Sequence, residues 1–372
     1  MNIIGVLEKM SELNASDLHL KVGSPPVVRV DGTLQPLDMQ GPNQEELVKI
    51  ADQILTPRQK RIFDDTKEVD FGFGVPGLSR FRCNFYVQRG TICMVFRRIP
   101  FSVPGFEELA LPAAAKDLSM SPRGLILVTG TVGSGKSTTL AAMIENINAT
   151  VRKSIITIED PVEFLVRDKK SVISQREVGM DTLSFGEGLK HILRQDPDVI
   201  LIGEIRDVET MSIALMAADT GHLVLSTLHT TDAAQTVNRV ISFYQPHQHE
   251  EVRFMLASNL RAVISMRLIP RADGHGRVPA VEIMVCTAAI REYIVDAGKT
   301  PSIRMAIQEG VSQYGMQTFD QAIMQLYRKQ LITLENALKF CTNPSEFSLR
   351  VKGIEATSDK TWEIFEGGGA KH

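Results

Sequence analysis

The chain has 372 residues, 43% of them hydrophobic and 23% charged, with a formal net charge of −3. That length supports two domains with substantial cores, and the nearly balanced charge excludes a general electrostatic attraction to nucleic acid or acidic lipid. No apolar run approaches the roughly 20 residues of a membrane span, and Cys83, Cys93, Cys286 and Cys341 have neither the spacing of a disulfide framework nor that of a zinc site. The opening MNIIGVLEKMSELNASD has no basic start and no long apolar stretch, so it does not read as a signal peptide and the chain reads as cytosolic.

Residues 1–98 read as a small α/β domain. Ile3–Met10 has helical apolar spacing, and Asp17–Val22 and Val27–Val30 alternate like strands around Ser24-Pro25-Pro26, with Asp31-Gly32 as a turn. Gln44–Ile54 and Pro57–Phe63 read as helices, the second opened by Thr56-Pro57 as N-cap and first helical position. Strands over Phe81–Gln88 and Thr91–Arg98 follow, joined as a hairpin at Arg89-Gly90. Residues 99–112 carry three prolines and no period, which reads as an interdomain linker.

From residue 113 to 345 apolar strands alternate with helices, the mark of a parallel sheet, and the pattern turns helical after about Cys286. The strands are expected at Leu125–Thr129, Ser154–Ile158, Val199–Ile202 and Leu223–Thr227. The polar end, from Ser345 and counted as 346–372, reads as a flexible tail.

One stretch carries most of the chemistry. Leu125–Leu140, LILVTGTVGSGKSTTL, is a G-x-x-x-x-G-K-[ST] motif set between an apolar strand and a helix. Gly130, Gly133 and Gly135 let backbone N–H groups turn inward around an anion, and Thr131, Val132, Ser134 and Thr138 complete the loop and first turn. The helix N-terminus adds partial positive charge. Lys136 can reach the β- and γ-phosphates and Ser137 can ligate Mg²⁺, so the ligand is ATP with Mg²⁺. Chance produces this pattern in roughly one chain of this length in a hundred.

Three further segments supply what such a site lacks. Asp198–Glu204, DVILIGE, is an apolar strand ending in an acid, which places Glu204 beside the phosphate loop as a metal-shell carboxylate. Thr157–Phe164, TIEDPVEF, holds three acids suited to orienting an attacking water, although Asp160-Pro161 also fits a plain turn. Gly221–Ala233, GHLVLSTLHTTDA, puts His222 and His229 at the two ends of an apolar strand, where they could read the γ-phosphate, bridge subunits or serve structure alone. Arg80, Arg82, Arg97 and Arg98, on paired strands of the first domain, are either solvated or reach a neighbouring subunit's nucleotide.

LRQDPDVILIGEIRDVET at Leu193–Thr210 closely resembles the signature of the type II/IV secretion ATPase superfamily, TIEDPVEF resembles its aspartate box and GHLVLSTLHTTDA its histidine box. The resemblance runs from about Ala15 to about Phe340 and is strongest to the pilus retraction (PilT) family, since the chain starts almost directly at ASDLHL and lacks the tetracysteine insert common in extension and secretion motors. It implies an α/β protein with a PAS-like N-terminal domain and a RecA-like C-terminal domain, assembled as a homohexamer with ATP bound between the domains. It further implies that Glu163 activates the water, that Glu204 is the Walker B acid, and that Arg82 and Arg97 act in trans. The implied partners are an inner-membrane platform protein and a paralogous retraction ATPase, with the ring at the cytoplasmic face of the inner membrane. Two departures stand out: Thr131-Val132 replace Pro-Thr in the P-loop, and the retraction motif AIRNLI reads AIREYI at Ala289–Ile294.

The expected function is therefore a motor ATPase that retracts type IV pili. Other readings are an accessory retraction paralogue, an extension or type II secretion motor, and a RecA-like nucleic-acid translocase. The last would need basic stripes or stacking aromatics, which 6% aromatic residues and a single tryptophan do not supply.

Overall fold

Apolar residues spaced along Ile3–Glu12 put Ile3, Val6, Leu7 and Met10 on one buried stripe. In the computed structural model, which describes residues 1–353 apart from 31, 100 and 101, this helix belongs to a first unit made of Met1–Ser102 with Pro161–Leu165 and Glu177–Leu183. Its sheet contains β1 (Asp17–Lys21), β2 (Val27–Val30), β3 (Thr33–Pro36), β4 (Glu68–Val75), β5 (Ser79–Gln88) and β6 (Thr91–Ile99). The order is β3-β2-β1-β6-β5-β4, antiparallel throughout. One face buries Leu18, Leu20, Val28, Phe81, Phe85, Met94 and Phe96 against Leu47, Ile50 and Phe63 of the helices Gln44–Ile54 and Pro57–Thr66. Both helices open with capping boxes, Asn43 with Glu46 and Thr56 with Gln59, which satisfy the orphan amides of the first turn. The β5–β6 turn places Arg89 at φ +51° and Gly90 at φ +78°, as a two-residue type I′ connection requires.

Strands β3 and β4 are additions to the sequence expectation. TLQP in β3 is exposed along its length and has no apolar period, and Gly72 and Gly74 interrupt the alternation of β4. The Asp31-Gly32 turn includes residue 31, outside the described residues.

The second unit comprises Val103–Asp160, Val166–Arg176 and the chain from Ser184 onward. Its strands are β7 (Gly124–Thr129), β8 (Ser154–Glu159), β9 (Val172–Glu177), β10 (Val199–Ile202), β11 (Leu223–Leu228), β12 (Leu260–Pro270) and β13 (Arg277–Val285), in the order β13-β12-β7-β11-β10-β8-β9. Strands β8, β10, β11, β7 and β12 run parallel, and β13 turns back against β12. Every residue of β7, β10 and β11 is buried, because helices cover both faces of such a sheet. The hairpin β12–β13 was not expected from the sequence: Asp273-Gly274 marks a turn, but Leu260–Pro270 and Arg277–Val285 are buried along most of their length and show no clean alternation.

The chain is helical after Cys286, as expected, and Phe319, Ile323, Ala337 and Phe347 form a last cluster against Ile269, Val278 and Ala280 of the hairpin. Here the structure corrects the tail: Pro344–Val351 is a helix, opened by Asn343 as N-cap and anchored by buried Phe347. The remainder of that tail, 354–372, lies outside the described residues. Residues 103–112 of the linker form neither helix nor strand, and no helix among the described residues is long and apolar enough to cross a membrane.

Candidate functional site

The site is built where β7, β11 and β10, adjacent and parallel, end on the same edge of the sheet. After β7 the chain turns through Gly130, Gly133 and Gly135 at φ +144°, +74° and +98°, in the left-handed range open to glycine. A Cβ on Gly130 would stand 2.5 Å from Ser134 Oγ and 2.6 Å from the Met266 carbonyl oxygen, so the turn admits nothing larger. Ser134 Oγ is buried with no hydrogen-bond partner among the described residues. An unsatisfied buried hydroxyl inside a glycine turn at a helix start is a fit for an anionic oxygen. Lys136, 8% exposed, opens the helix Lys136–Thr150. Ser137 and Thr138 follow it half-buried, while Thr131 is exposed and Val132 is 87% exposed at the tip of the loop.

A chain of polar contacts links the three strand ends. Lys136 Nζ donates to the carbonyls of Gly130 (2.8 Å) and Thr131 (3.0 Å) and lies 3.4 Å from His229 Nδ1, one residue past β11. His229 Nε2 is 2.9 Å from Glu204 Oε1, just past β10. Glu204 Oε2 accepts from Arg206 Nη2 at 2.8 Å. Burial pushes the Glu204 carboxyl up, but the hydrogen bond from Arg206 and the charge of His229 outweigh it and hold the group below its ordinary value. Glu204 is therefore a carboxylate at neutral pH. A cavity of about 360 Å³ opens beside this chain, lined by Glu204, Arg206, His229, Thr230, Gln235 and Arg239. A second, of about 250 Å³, lies on the P-loop's other flank among Thr131, Gly133, Leu268, Arg277 and Phe340.

The two histidines of the apolar strand separate in role. His222 sits at the opposite end of β11, roughly 20 Å of strand from His229, and its Nδ1 lies 2.9 Å from the Ala217 carbonyl and 3.1 Å from Thr220 Oγ1. It closes the helix Val208–Asp219 and is not part of the cluster. Of the acid-rich segment, Glu159 is half-buried at the end of β8, accepting from Thr157 Oγ1 at 2.7 Å and Gln175 Nε2 at 3.3 Å. Asp160 and Glu163 are exposed, Glu163 on Pro161–Leu165 of the first unit.

Within that first unit, Arg82 and Arg97 are cross-strand partners on β5 and β6. Asp17 lies opposite Arg97 on β1, and Arg29 opposite Asp17 on β2. Arg97 Nε donates to Asp17 Oδ1 at 2.8 Å and Arg29 Nε lies 3.9 Å from Asp17 Oδ2. One carboxylate thus serves two arginines, and Arg82 is left exposed at the end of the row. Arg80 and Arg98 are engaged elsewhere, Arg80 with buried Glu177 at 3.2 Å and Arg98 with the Asn14 side chain.

Sequence reasoning missed Arg277, whose Nη1 lies 3.4 Å from the Gly133 carbonyl, and Arg267, which bonds the Phe340 carbonyl at 2.6 Å and stacks 3.8 Å over the Phe319 ring. Neither belongs to a motif. Only the β12–β13 hairpin brings them near the loop.

Residues 97–339 match the family model described as Type II/IV secretion system protein. The chain is 46% identical to the type IV pilus retraction ATPase PilT of Pseudomonas aeruginosa over 347 residues, 93% of this chain and 100% of that one. It is 38% identical to the type IV pilus ATPase PilU of the same organism, covering 97% and 94% of the two chains. The crystal structure of the pilus retraction motor PilT with bound ADP superposes with a TM-score of 0.86 at 43% identity, over 93% of this chain and 98% of that one.

Proposed function

The chain is a P-loop ATPase of the type II/IV secretion system protein family, and from that we propose that it is a motor coupling ATP hydrolysis to the disassembly and retraction of type IV pili, the activity behind twitching motility. The observation that carries this reading is the continuous contact from Lys136 through His229 to Glu204 at the edge of an αβ sheet whose phosphate loop is preformed.

In this reading Gly130–Gly135 and the following helix N-terminus bind the phosphates, Lys136 leaves its loop carbonyls for the β- and γ-oxygens, and Thr138 lies along the α-phosphate. Ser137 and Glu204 would hold Mg²⁺, which would supply neutralisation of phosphate charge. The half-buried hydroxyl of Ser137 and the ionised Glu204 form a hard oxygen donor set that fits that ion. His229, between Lys136 and Glu204, reports the arrival of the terminal phosphate to the metal-side acid. Glu163 orients and deprotonates the attacking water. Arg82 and Arg97 reach the nucleotide of a neighbouring subunit in a homohexamer, where they stabilise transition-state charge. The ring works at the cytoplasmic face of the inner membrane on a polytopic platform protein, with a paralogous retraction ATPase as a further partner. Nucleic acid is not among its partners.

A second reading, an accessory retraction ATPase, is supported by the likeness to PilU and by Glu292 and Tyr293 on the helix Ala288–Val295, where Glu292 pairs with Lys299. Steady-state ATP hydrolysis by the purified protein, wild type beside Glu204→Ala with ring size followed in parallel, separates the two. Robust turnover by the wild-type ring, lost in the variant, is expected of a motor. Tight nucleotide binding with negligible turnover in the ring favours the accessory role.

A further inference from the structure

The two loops that meet at Lys136 and His229 are rooted in one row of the sheet. Glu282 on β13 lies opposite Ser265 on β12, Ser265 opposite Thr129 on β7, and Thr129 opposite Leu228 on β11. Thr129 immediately precedes Gly130, and Leu228 immediately precedes His229. The three polar members of the row are buried, Glu282 at 5% exposure and Ser265 and Thr129 at 0%. Thr129 Oγ1 donates to Ser265 Oγ at 2.9 Å. Glu282 Oε1 accepts the backbone N–H of Ala233 at 2.9 Å, the first residue of the helix Ala233–Ser242. Only His229–Asp232 separate that helix from β11.

We infer that Glu282 is a positioning residue for His229: its carboxyl oxygen pins the first turn of the helix Ala233–Ser242 and so fixes where segment 229–232 presents the imidazole to Lys136 and Glu204. The inference rests on the ATPase reading of that site. A carboxylate inside a sheet is costly to bury, and an apolar residue would pack there at no such cost. Capping alone does not call for it, because Asp232 Oδ1 already accepts the Gln235 N–H at 2.8 Å. What Glu282 adds is a partner for the N–H of Ala233, a residue with no exposed surface, whose amide would otherwise be buried unpaired. From the same helix Thr236 Oγ1 reaches back 2.7 Å to Thr230 Oγ1, so the segment carrying His229 is tied by a side-chain hydrogen bond to an element that Glu282 holds.

The charged groups facing Glu282 are Arg267 on β12, Arg304 on the helix Ile303–Glu309, and Asp232 at the head of the pinned helix. Arg304 is itself paired with Asp320 at 2.7 Å. Burial is the largest influence and, helped by Asp232 against the Ala233 N–H and the two arginines, pushes the carboxyl up to about 7.

The test uses the full chain and reads ATP turnover together with binding of a fluorescent ADP analogue. Glu282→Met keeps the bulk and removes the acceptor. It should lower kcat by roughly tenfold or more while the analogue's dissociation constant stays within about twofold. Glu282→Gln, which keeps an acceptor oxygen, should hold turnover within about threefold. In a His229→Ala background the residue being positioned is gone, so Glu282→Met should cost less than about twofold further. Ile323→Ala, a buried truncation among the C-terminal helices, should lower the melting temperature without this split between turnover and affinity. Unchanged turnover in Glu282→Met, loss of affinity in step with kcat, or an undiminished effect in the His229→Ala background each overturns the inference. If Glu282→Met does not fold, Glu282→Gln decides alone: retained turnover with unchanged hydrogen exchange over 229–236 supports it, and lost turnover in a folded ring overturns it. A wild type that binds but does not hydrolyse ATP overturns the ATPase reading and this inference together. A hydrolysing wild type indifferent to Glu282→Met overturns this inference only.

Discussion

The two sheets of the molecule handle charge in opposite ways. In the second unit the central strands are buried on both faces, and the loops leaving one end of them bring Lys136, Glu204 and His229 together although 93 residues separate the first from the last. In the first unit one face of an antiparallel sheet packs the core and the other carries a row of Arg29, Asp17, Arg97 and Arg82. A parallel sheet gathers distant residues at strand ends, whereas an antiparallel one gathers them side by side across a face. The first arrangement concentrates unlike groups around one small ligand. The second spreads like charges over a surface suited to another molecule's phosphates, the position our proposal gives to a neighbouring subunit.

That contrast can be broken at several places. The largest effect is expected from Lys136→Ala, which removes the only charge inside the phosphate loop motif. Nucleotide affinity and turnover should both fall by roughly a hundredfold or more, checked by binding of a fluorescent ATP analogue beside steady-state hydrolysis. Glu204→Gln should lower kcat by roughly 10²-fold or more while affinity changes far less. Equal losses of both would mean that Glu204 serves binding and not the reaction.

On the first sheet, Arg97→Ala should reduce turnover of the assembled ring roughly tenfold or more, yet leave nucleotide binding by a dissociated subunit unchanged. Full activity of the variant ring, or of wild-type monomers, would remove the trans role. A smaller effect is thermodynamic. Glu282 stays protonated in the native state up to about pH 7, while in the unfolded chain it ionises near its ordinary 4.5. Between those values the native state binds more protons, so stability falls as pH rises across that window. Glu282→Gln should flatten this fall by on the order of 2–3 kcal/mol, read from melting curves at pH 5 to 8. The smallest effect is Val132→Thr at the loop tip, where turnover should change by less than about twofold because that side chain is 87% exposed.

Much of the second unit could be read from its residues in order. The strands β7, β8, β10 and β11 and the glycine turn are specified locally, by apolar runs and by glycines whose positive φ values no other residue adopts cheaply. The same holds for the capped helices Gln44–Ile54 and Pro57–Thr66 of the first unit, where box and proline are adjacent in sequence. His222 and His229 could not be told apart this way. They have the same type and flank the same strand, and only the direction of β11 decides which one stands at the loops.

The sequence by itself determined the phosphate loop, the acid after the apolar strand, the family and the helix caps, because each depends on residues within one turn or one strand of each other. Tertiary structure alone decided that Glu204 and His229 share a proton-range contact, that Asp17 serves two arginines, that Arg277 and Arg267 border the loop, and that a buried Glu282 holds the helix after His229. These depend on strand order and register, which are fixed by pairing between segments tens to hundreds of residues apart and leave no local period in the chain.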